Sequence, residues 1–474
     1  MTSILEQNSI GQIPLDQRHG RPGGLFFVWF GANMFLITVV TGGLGTTVFG
    51  LSFWATMAAL VIGLVAGGLF MALHAAQGPA LGVPQMIQSR GQFGSRGATV
   101  IVAVVIFMYM GWFASNAVVG GQALHSLLPG IPLAAAIILL TLTNIVVAII
   151  GYRMLHLVMR LGTIILGGGF LIALILTMTS GKVSVAGLQS GDFTIAGFMS
   201  VLSISALWAV AYAPYVSDYS RYLPPDTGPI RALWATYAGI VIGSLLPMTL
   251  GALIGTVISG DDVVGGLLDV IGPFGVLLMW CAVLFSGLSN ALNLYGASLC
   301  SITFIQTFSE KFIPRAKGRA AVAAALGLIA IVIGVAGAGN FLDFLVSLIG
   351  LMFFVITPWT AINLVDYYLV KHGNYQVSEF FKKDGGIYGK WNQSAAIVYV
   401  VGLLVQIPFL ASALYTGPVA GAMSGVDISW IVGLLVTCPL YYFLSKASES
   451  RSGPRVSLTN TAMSPDSVEG ADVR

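Results

Sequence analysis

The sequence predicts an all-α membrane protein with twelve transmembrane helices, and three of its properties carry that prediction. Only 8% of the 474 residues are charged and 57% are hydrophobic, with a mean hydropathy of +0.90. Soluble chains carry about a quarter charged residues, so most of this surface has lipid as its solvent. The apolar residues also fall into runs long enough to cross a bilayer, and the first, Leu25 to Leu73, contains no ionisable residue. Finally, the lysines and arginines gather in every second connection between runs, as the bias of cytoplasmic loops toward positive charge requires.

Each span follows from where the apolar runs are interrupted. Spans 1 and 2, near 25–49 and 52–73, meet at the short turn around Gly50. Arg90 and Arg96 then precede span 3 (97–126), which is followed by span 4 (131–150). Arg153 and Arg160 introduce span 5 (157–179), and Lys182 parts it from span 6 (196–217). Arg221 and Arg231 lead into span 7 (232–258) and span 8 (272–305), and Lys311 to Arg319 lead into spans 9 (319–337) and 10 (341–365). The basic stretch Lys371–Lys390 comes before spans 11 (394–414) and 12 (428–445). With the N-terminus inside, 20 of the 21 Lys and Arg lie on the cytoplasmic side, and only Lys182 lies outside. An even number of spans returns the C-terminus to that side. The expectation is an inner-membrane protein with a cytoplasmic segment at 1–24, a transport domain at 25–445, and a polar tail at 446–474 without hydrophobic period, read as disordered.

Other signals are structural. Cys281, Cys300 and Cys438 sit in apolar stretches without metal-ligand or disulfide spacing and read as packing residues. The loop QGPALGVPQMIQSRGQFG between spans 2 and 3 has too much Gly and Pro for one regular helix. Glycines four apart, at 63/67, 239/243 and 251/255, let helix backbones approach closely.

Two spans cannot be plain helices. Span 1 carries Asn33, Thr38, Thr41 and a Gly-Gly pair inside its apolar run, and span 6 carries Pro214, which removes a backbone donor and clashes with the preceding turn. Freed carbonyls in a bilayer must be buried in protein or line a wet cavity. Breaks five helices apart match the inverted-repeat plan of secondary transporters, in which they meet at the midplane around substrate and ion. The repeats would cover about 25–180 and 196–365, with helices 11 and 12 (about 394–445) added.

Candidate binding residues lie on the same helices. Trp112 and Asn116, in GWFASNAVVGG, share one face of span 3. An indole offers a stacking surface and an amide both donates and accepts, a combination suited to a planar nitrogen heterocycle. Span 8 offers Ser286, Ser289, Asn290 and Asn293, and span 6 offers Trp208 and Tyr212 ahead of Pro214. Amides in hydrocarbon are costly unless they are paired or face a cavity. No Asp, Glu, Lys or Arg lies near the centre of a span, and no nucleotide-binding loop, zinc-protease motif or nucleophile with a base is present. These absences point away from an enzyme and an ATP-driven pump, and toward a neutral substrate.

The segments LFFVWFGANMFLITVVTGGLG, GPALGVPQMIQSRGQFG, YAPYVSDYSRYLP and PWTAINLVDYYLVKHGNY with DGGIYGKWN resemble the nucleobase:cation symporter 1 family, in its purine/cytosine permease branch. The resemblance runs from about residue 20 to 445. It implies a LeuT-type fold of 5+5 inverted repeats plus two C-terminal helices, and symport of a nucleobase or related heterocycle. It also implies that the base stacks on Trp112 with Asn116 beside it, that Trp208 or Tyr212 supplies a second aromatic, that Asn290 bonds the base, and that Thr38 can touch it. Sodium-dependent members use first-break carbonyls, here near Gly31, Ala32 and Asn33, with a hydroxyl pair on the eighth helix. That pair reads Leu288-Ser289 here, and leucine supplies no oxygen to a hard cation. Proton coupling is therefore favoured over sodium, with no cofactor and no protein partner expected. The alternative is an amino-acid or other small-solute transporter of the same fold, which would hold a carboxylate at the first break.

Overall fold

The computed structural model describes residues 11–150, 152–309, 316–382, 384–412 and 415–451, and their side chains except at 150, 152–160, 286–289, 316 and 449–451. Helix dominates, and among the described residues extended pairing is limited to the isolated bridge between Ala411 and Thr416. Among the described residues, eight helices are long and apolar enough to cross a membrane, or nine if the bent pair Pro22–Gly31 and Leu36–Thr47 is one span. One of the eight, the run Lys317–Val370, holds two expected spans parted by the tight turn Ala338–Asn340. The shorter apolar helices Leu133–Ile149 and Gln393–Phe409 complete the expected twelve segments.

Local chemistry fixes where these helices start. Ser52 accepts from the Ala55 N–H (3.3 Å), Thr194 from Gly197 (3.1 Å) and Asn392 from Ala395 (3.3 Å), so spans 2, 6 and 11 each open on a side chain that satisfies an otherwise orphaned donor. Span 8 is preceded by nine helical residues, Val263–Ile271, set off at Gly272 (φ 54°) and Pro273. This short helix lies in the connection expected between spans 7 and 8. Span 12 runs to Arg451 rather than ending at 445, so the tail expected from 446 begins with six helical residues. Residues 452–474, where disorder was expected, lie outside the described part.

Lipid tails are as apolar as leucine, so helices in a bilayer associate through close packing more than through exclusion of water. The three glycine pairs do this. A Cβ on Gly63 or Gly67 would come within 2.3 Å of the Leu202 carbonyl or 2.0 Å of the Ala206 carbonyl, which places span 2 against span 6 backbone to backbone. Gly239 and Gly243 meet the backbone of Phe26 and Phe30, and Gly251 meets the Val39 carbonyl at 1.8 Å, so span 7 lies along both halves of span 1. Spans 1, 2, 6 and 7 are thereby packed as one body. Outward-facing Ile164, Val332 and Leu435, 66–69% exposed, present apolar surface to lipid.

The N-terminal segment is tied down in its described part. Arg18 donates to the carbonyls of Ile13 (3.0 Å) and Pro79 (2.8 Å), and the His19 N–H to Tyr222 (2.7 Å). The loop after span 2 forms two short helices, Gln77–Leu81 and Gln85–Phe93, parted by left-handed Gly82 (φ 68°), in line with its Gly/Pro content.

Candidate functional site

The two interrupted spans meet at their breaks. Span 1 bends by 65° between Gly31 and Leu36, with Phe35 extended (φ −130°, ψ 153°). Span 6 breaks at Ala211–Tyr212, and its second helix, Ala213–Ser220, carries Pro214 in its first turn, where a missing N–H costs nothing. Asn33 joins the breaks. Its backbone N–H turns to Phe30 (3.3 Å), leaving the Trp29 carbonyl without its helical donor, and the Asn33 Nδ2 supplies the replacement at 2.6 Å. Its Oδ1 accepts from the Trp208 Nε1 (2.6 Å) and from the Ser244 Oγ of span 7 (2.9 Å). Tyr212 donates to the Ala32 carbonyl (3.1 Å) and packs edge-on against Trp29. Asn33, a cation-site candidate in the sequence, thus has its amide fully engaged as a structural tie.

Trp112 and Trp208 come together from spans 3 and 6, with ring centroids 5.1 Å apart and planes at 78°. The structure brings Trp208 to Trp112 and turns Tyr212 toward span 1. The rings touch edge to face, so no planar molecule lies between them in this arrangement. Asn116 donates to the Trp112 carbonyl (2.9 Å), which leaves its amide oxygen as an acceptor without a partner among the described residues. Asn290 donates to the Phe113 carbonyl (3.0 Å) and accepts from Asn293 (3.0 Å), which fastens span 8 to span 3 one residue from Trp112. Thr38, in the first turn after the break in span 1, is fully buried and its hydroxyl has no partner among the described residues. The aromatic and amide candidates therefore gather where spans 1, 3, 6 and 8 face one another.

Of the other cation-site candidates, the Ala32 carbonyl accepts from Tyr212 and the Gly31 carbonyl from the Met34 N–H (3.0 Å). The Ser289 side chain lies outside the described part. Among the described residues no group of three His, Cys, Asp or Glu could hold a metal ion. The three cysteines are free.

Sequence reasoning missed a polar assembly at the end of span 10. Asp366, 2% exposed, accepts from Tyr375 and from Tyr441 of span 12 (2.8 Å). Tyr375 accepts from Gln92 (3.3 Å), whose Oε1 accepts from Asn363 (3.2 Å), whose Oδ1 accepts from Gln77 (2.8 Å). Beside it His74 stacks on Trp359 at 4.9 Å, and Trp359 donates to Ser89 (3.1 Å). Hydrogen bonds in a low-dielectric interior are stronger than in water, and this chain of them locks the loop helices to spans 10 and 12. Its members are scattered over more than 360 residues of sequence, and only the four glutamines of QGPALGVPQMIQSRGQFG hint at it.

Comparison with known proteins agrees with this architecture. Residues 12–433 match the model of a family described as permeases for cytosine and purines, uracil, thiamine and allantoin. YxlA of Bacillus subtilis, provisionally named a purine-cytosine permease, is 38% identical over 446 residues, covering 93% of this chain and 96% of its own. The purine-cytosine permease fcyB of Emericella nidulans is 24% identical over 90% of this chain and 86% of its own. Among solved structures, the inward-facing conformation of Mhp1 superposes with a TM-score of 0.77 at 18% identity, covering 95% of this chain and 96% of that one. A closed conformation of the same transporter, of the nucleobase-cation-symport-1 family and with bromovinylhydantoin bound, gives 0.74 at 18% identity over 95% and 97%. The broken spans 1 and 6, the aromatic and amide cluster at their junction and these matches together place the chain among the multi-pass membrane permeases, as a LeuT-type member of the purine/cytosine permease branch of the nucleobase:cation symporter 1 family.

Proposed function

We propose that the chain is a secondary active symporter that imports a nucleobase, cytosine or a purine first, or a related neutral heterocycle, by alternating access across the inner membrane. The observation that carries this reading is the Trp112–Trp208 pair at the junction of the two breaks, with Asn116 and Asn290 beside it. Parting the two indoles would open two aromatic faces to a flat ring. The amide oxygen of Asn116 then accepts from a ring N–H or an exocyclic amine, and Asn290 would exchange its bond to Phe113 or Asn293 for one to the base. Thr38 brings a hydroxyl that has no partner among the described residues. The relatives' names point the same way, since cytosine, purines, uracil and a hydantoin are all planar rings with alternating donors and acceptors.

The coupling ion in this reading is a proton. The eighth-helix position that would need a hydroxyl for sodium is Leu288, and the first-break carbonyls of Gly31, Ala32 and Asn33 already accept from Met34, Tyr212 and Phe35. Both termini face the cytoplasm, and the inverted repeats cover about 25–180 and 196–365. The amino-acid reading is disfavoured because the backbone N–H groups of the first break, where a carboxylate would be held, are already bonded: Ala32 to Val28 (2.9 Å), Asn33 to Phe30 (3.3 Å) and Met34 to Gly31 (3.0 Å).

The test is radiolabelled uptake in cells lacking endogenous permeases, with cytosine, adenine, hypoxanthine, uracil, allantoin and leucine as unlabelled competitors. Competition by bases and not by leucine is expected; competition by leucine alone would sink the proposal. Uptake that survives replacement of sodium by choline and collapses with a protonophore would support proton coupling, and the opposite pattern would reverse it.

A further inference from the structure

Between the loop helix Gln85–Phe93, the start of span 3 and the end of span 8 lies a crevice of about 290 Å³, its open mouth included. One part of its wall is apolar, formed by Met86, Ile87, Val102 and Phe304; the other carries Arg90 and Ser95. Three threonines also line it, but Thr99, Thr303 and Thr307 donate their hydroxyl protons to carbonyls of their own helices or the adjoining turn. The donors left over are therefore Arg90 and Ser95.

Both lack the partner their chemistry calls for. Ser95 is 8% exposed, its backbone N–H bonds Gly389 (3.0 Å), and its buried hydroxyl has no partner among the described residues. Arg90 uses one guanidinium nitrogen on the Phe380 carbonyl (3.0 Å), and among the described residues no carboxylate pairs with it. Burial lowers its pKa from the ordinary arginine value, a sign that the charge is largely withdrawn from water. Arginine keeps its proton regardless, so the site holds a fixed, partly desolvated cation without a counterion among the described residues, an arrangement that is unfavourable until an anion arrives. A planar fork of N–H groups beside a hydroxyl is a donor set for a phosphate oxyanion.

The apolar part of the wall says what carries the phosphate. Next to Thr99 and Phe304 on the same two helices, Val100 and Ile305 are 44% and 37% exposed, and Phe308 is 64% exposed, so the crevice borders the lipid-facing surface. From this geometry we infer that Arg90 and Ser95 hold the phosphodiester of a membrane phospholipid, with its glycerol and upper acyl chain along Val102 and Phe304. Basic pockets between transmembrane helices on the cytoplasmic side are suited to anionic headgroups. An anionic lipid fits better than a zwitterionic one, because no second cation has to be kept beside the guanidinium. This inference does not depend on which substrate is carried.

The test uses the full chain, purified in detergent and stripped of lipid, with thermal melting followed as dihexanoyl-phosphatidylglycerol, dihexanoyl-phosphatidylcholine or inorganic phosphate is added. Saturable stabilisation by phosphatidylglycerol is expected. Losing a hydrogen bond to a charged group costs about 1.5–3 kcal/mol, so Arg90→Gln should weaken half-saturation about tenfold or more. Ser95→Ala should weaken it several-fold while leaving the lipid-free melting temperature unchanged or higher, since it removes an unpaired buried hydroxyl. That combination would not arise from a structural serine, and it keeps the test open if Arg90→Gln fails to fold. Equal stabilisation of the wild type and the variants, or none of the wild type, overturns the proposal. A response to inorganic phosphate alone, lost in the variants, also overturns the lipid assignment and gives the site to a soluble ion.

Discussion

Replacing Asn33 by alanine tests whether the two breaks are held together by a single side chain. The substitution removes the acceptor of the Trp208 indole N–H at 2.6 Å and the donor to the Trp29 carbonyl at 2.6 Å, both inside a fully buried environment. A buried polar group left without a partner costs about 1–3 kcal/mol, so two of them cost about 2–6 kcal/mol. The third bond adds little, because a serine within a helix can turn its hydroxyl to its own helix four residues back. Ser244→Ala is therefore the internal control: it leaves Asn33 bonded to Trp208 and should cost about 1 kcal/mol or less. The assay is thermal melting of both purified variants, together with tryptophan emission to report the freed indole. Asn33→Ala should melt about 1–5 °C below Ser244→Ala, since a chain of this length shifts by only about 1 °C per kcal/mol. If the two melt together and the emission is unchanged, Asn33 does not join the breaks and the reasoning fails.

Further expectations rest on other parts of the molecule. Gly251→Leu forces a side chain into the Val39 carbonyl, 1.8 Å from an added Cβ, and should abolish folded protein in size-exclusion profiles; Gly50→Ala, with open space but φ 61°, should cost only about 1–2 kcal/mol. Asn116→Ala should depress uptake more than tenfold at unchanged membrane abundance, and normal uptake would make that amide a helix-packing group. Tyr441→Phe removes one of the donors on Asp366 and should lower stability by about 1.5–3 kcal/mol, measured by melting. The Lys382 ammonium holds the Glu379 carboxyl below the usual glutamate range. The stabilisation from that pair is thus present above the ordinary value of about 4.3 and lost as the pH falls through the lower folded one. Hydrogen exchange in segment 377–390 should then be insensitive to pair protonation from pH 7 to 5, and Lys382→Ala should move the loss of protection to higher pH.

The spans were legible because a bilayer imposes one rule on every helix: apolar length. The breaks were legible because Pro214 and the polar residues of span 1 violate it locally. Glycines four apart named their own role, and each pair does meet a neighbouring helix. What sequence could not supply was partnership. Asn33 reads as a loose amide near a break until Trp208, Ser244 and Trp29 are seen around it, and those lie up to 211 residues away. Asp366 looked peripheral because it stands near the end of a run; its burial depends on tyrosines from a loop and from span 12. The helix before Gly272 was missed for a different reason, since Gly-Pro marks a break without saying what precedes it. Which of Trp208 and Tyr212 reaches span 3 was undecidable in sequence, since the direction of each side chain depends on how the helix turns at Ala211.

Under the proposed function, the contact between the Trp112 and Trp208 rings would select what is admitted between them. An edge-to-face aromatic pair is worth about 0.5–1.5 kcal/mol beyond its buried area, a modest bond that an arriving guest can replace. A planar ring has a contact thickness of ~3.5 Å, so a flat guest needs the smallest parting of the two indoles and regains an aromatic face on each side. A puckered or branched guest of the same mass must hold them further apart and touches less of both. Under the proposed function, the pair would act as a thickness gauge, and its edge-to-face contact would keep both apolar ring surfaces out of water between substrates.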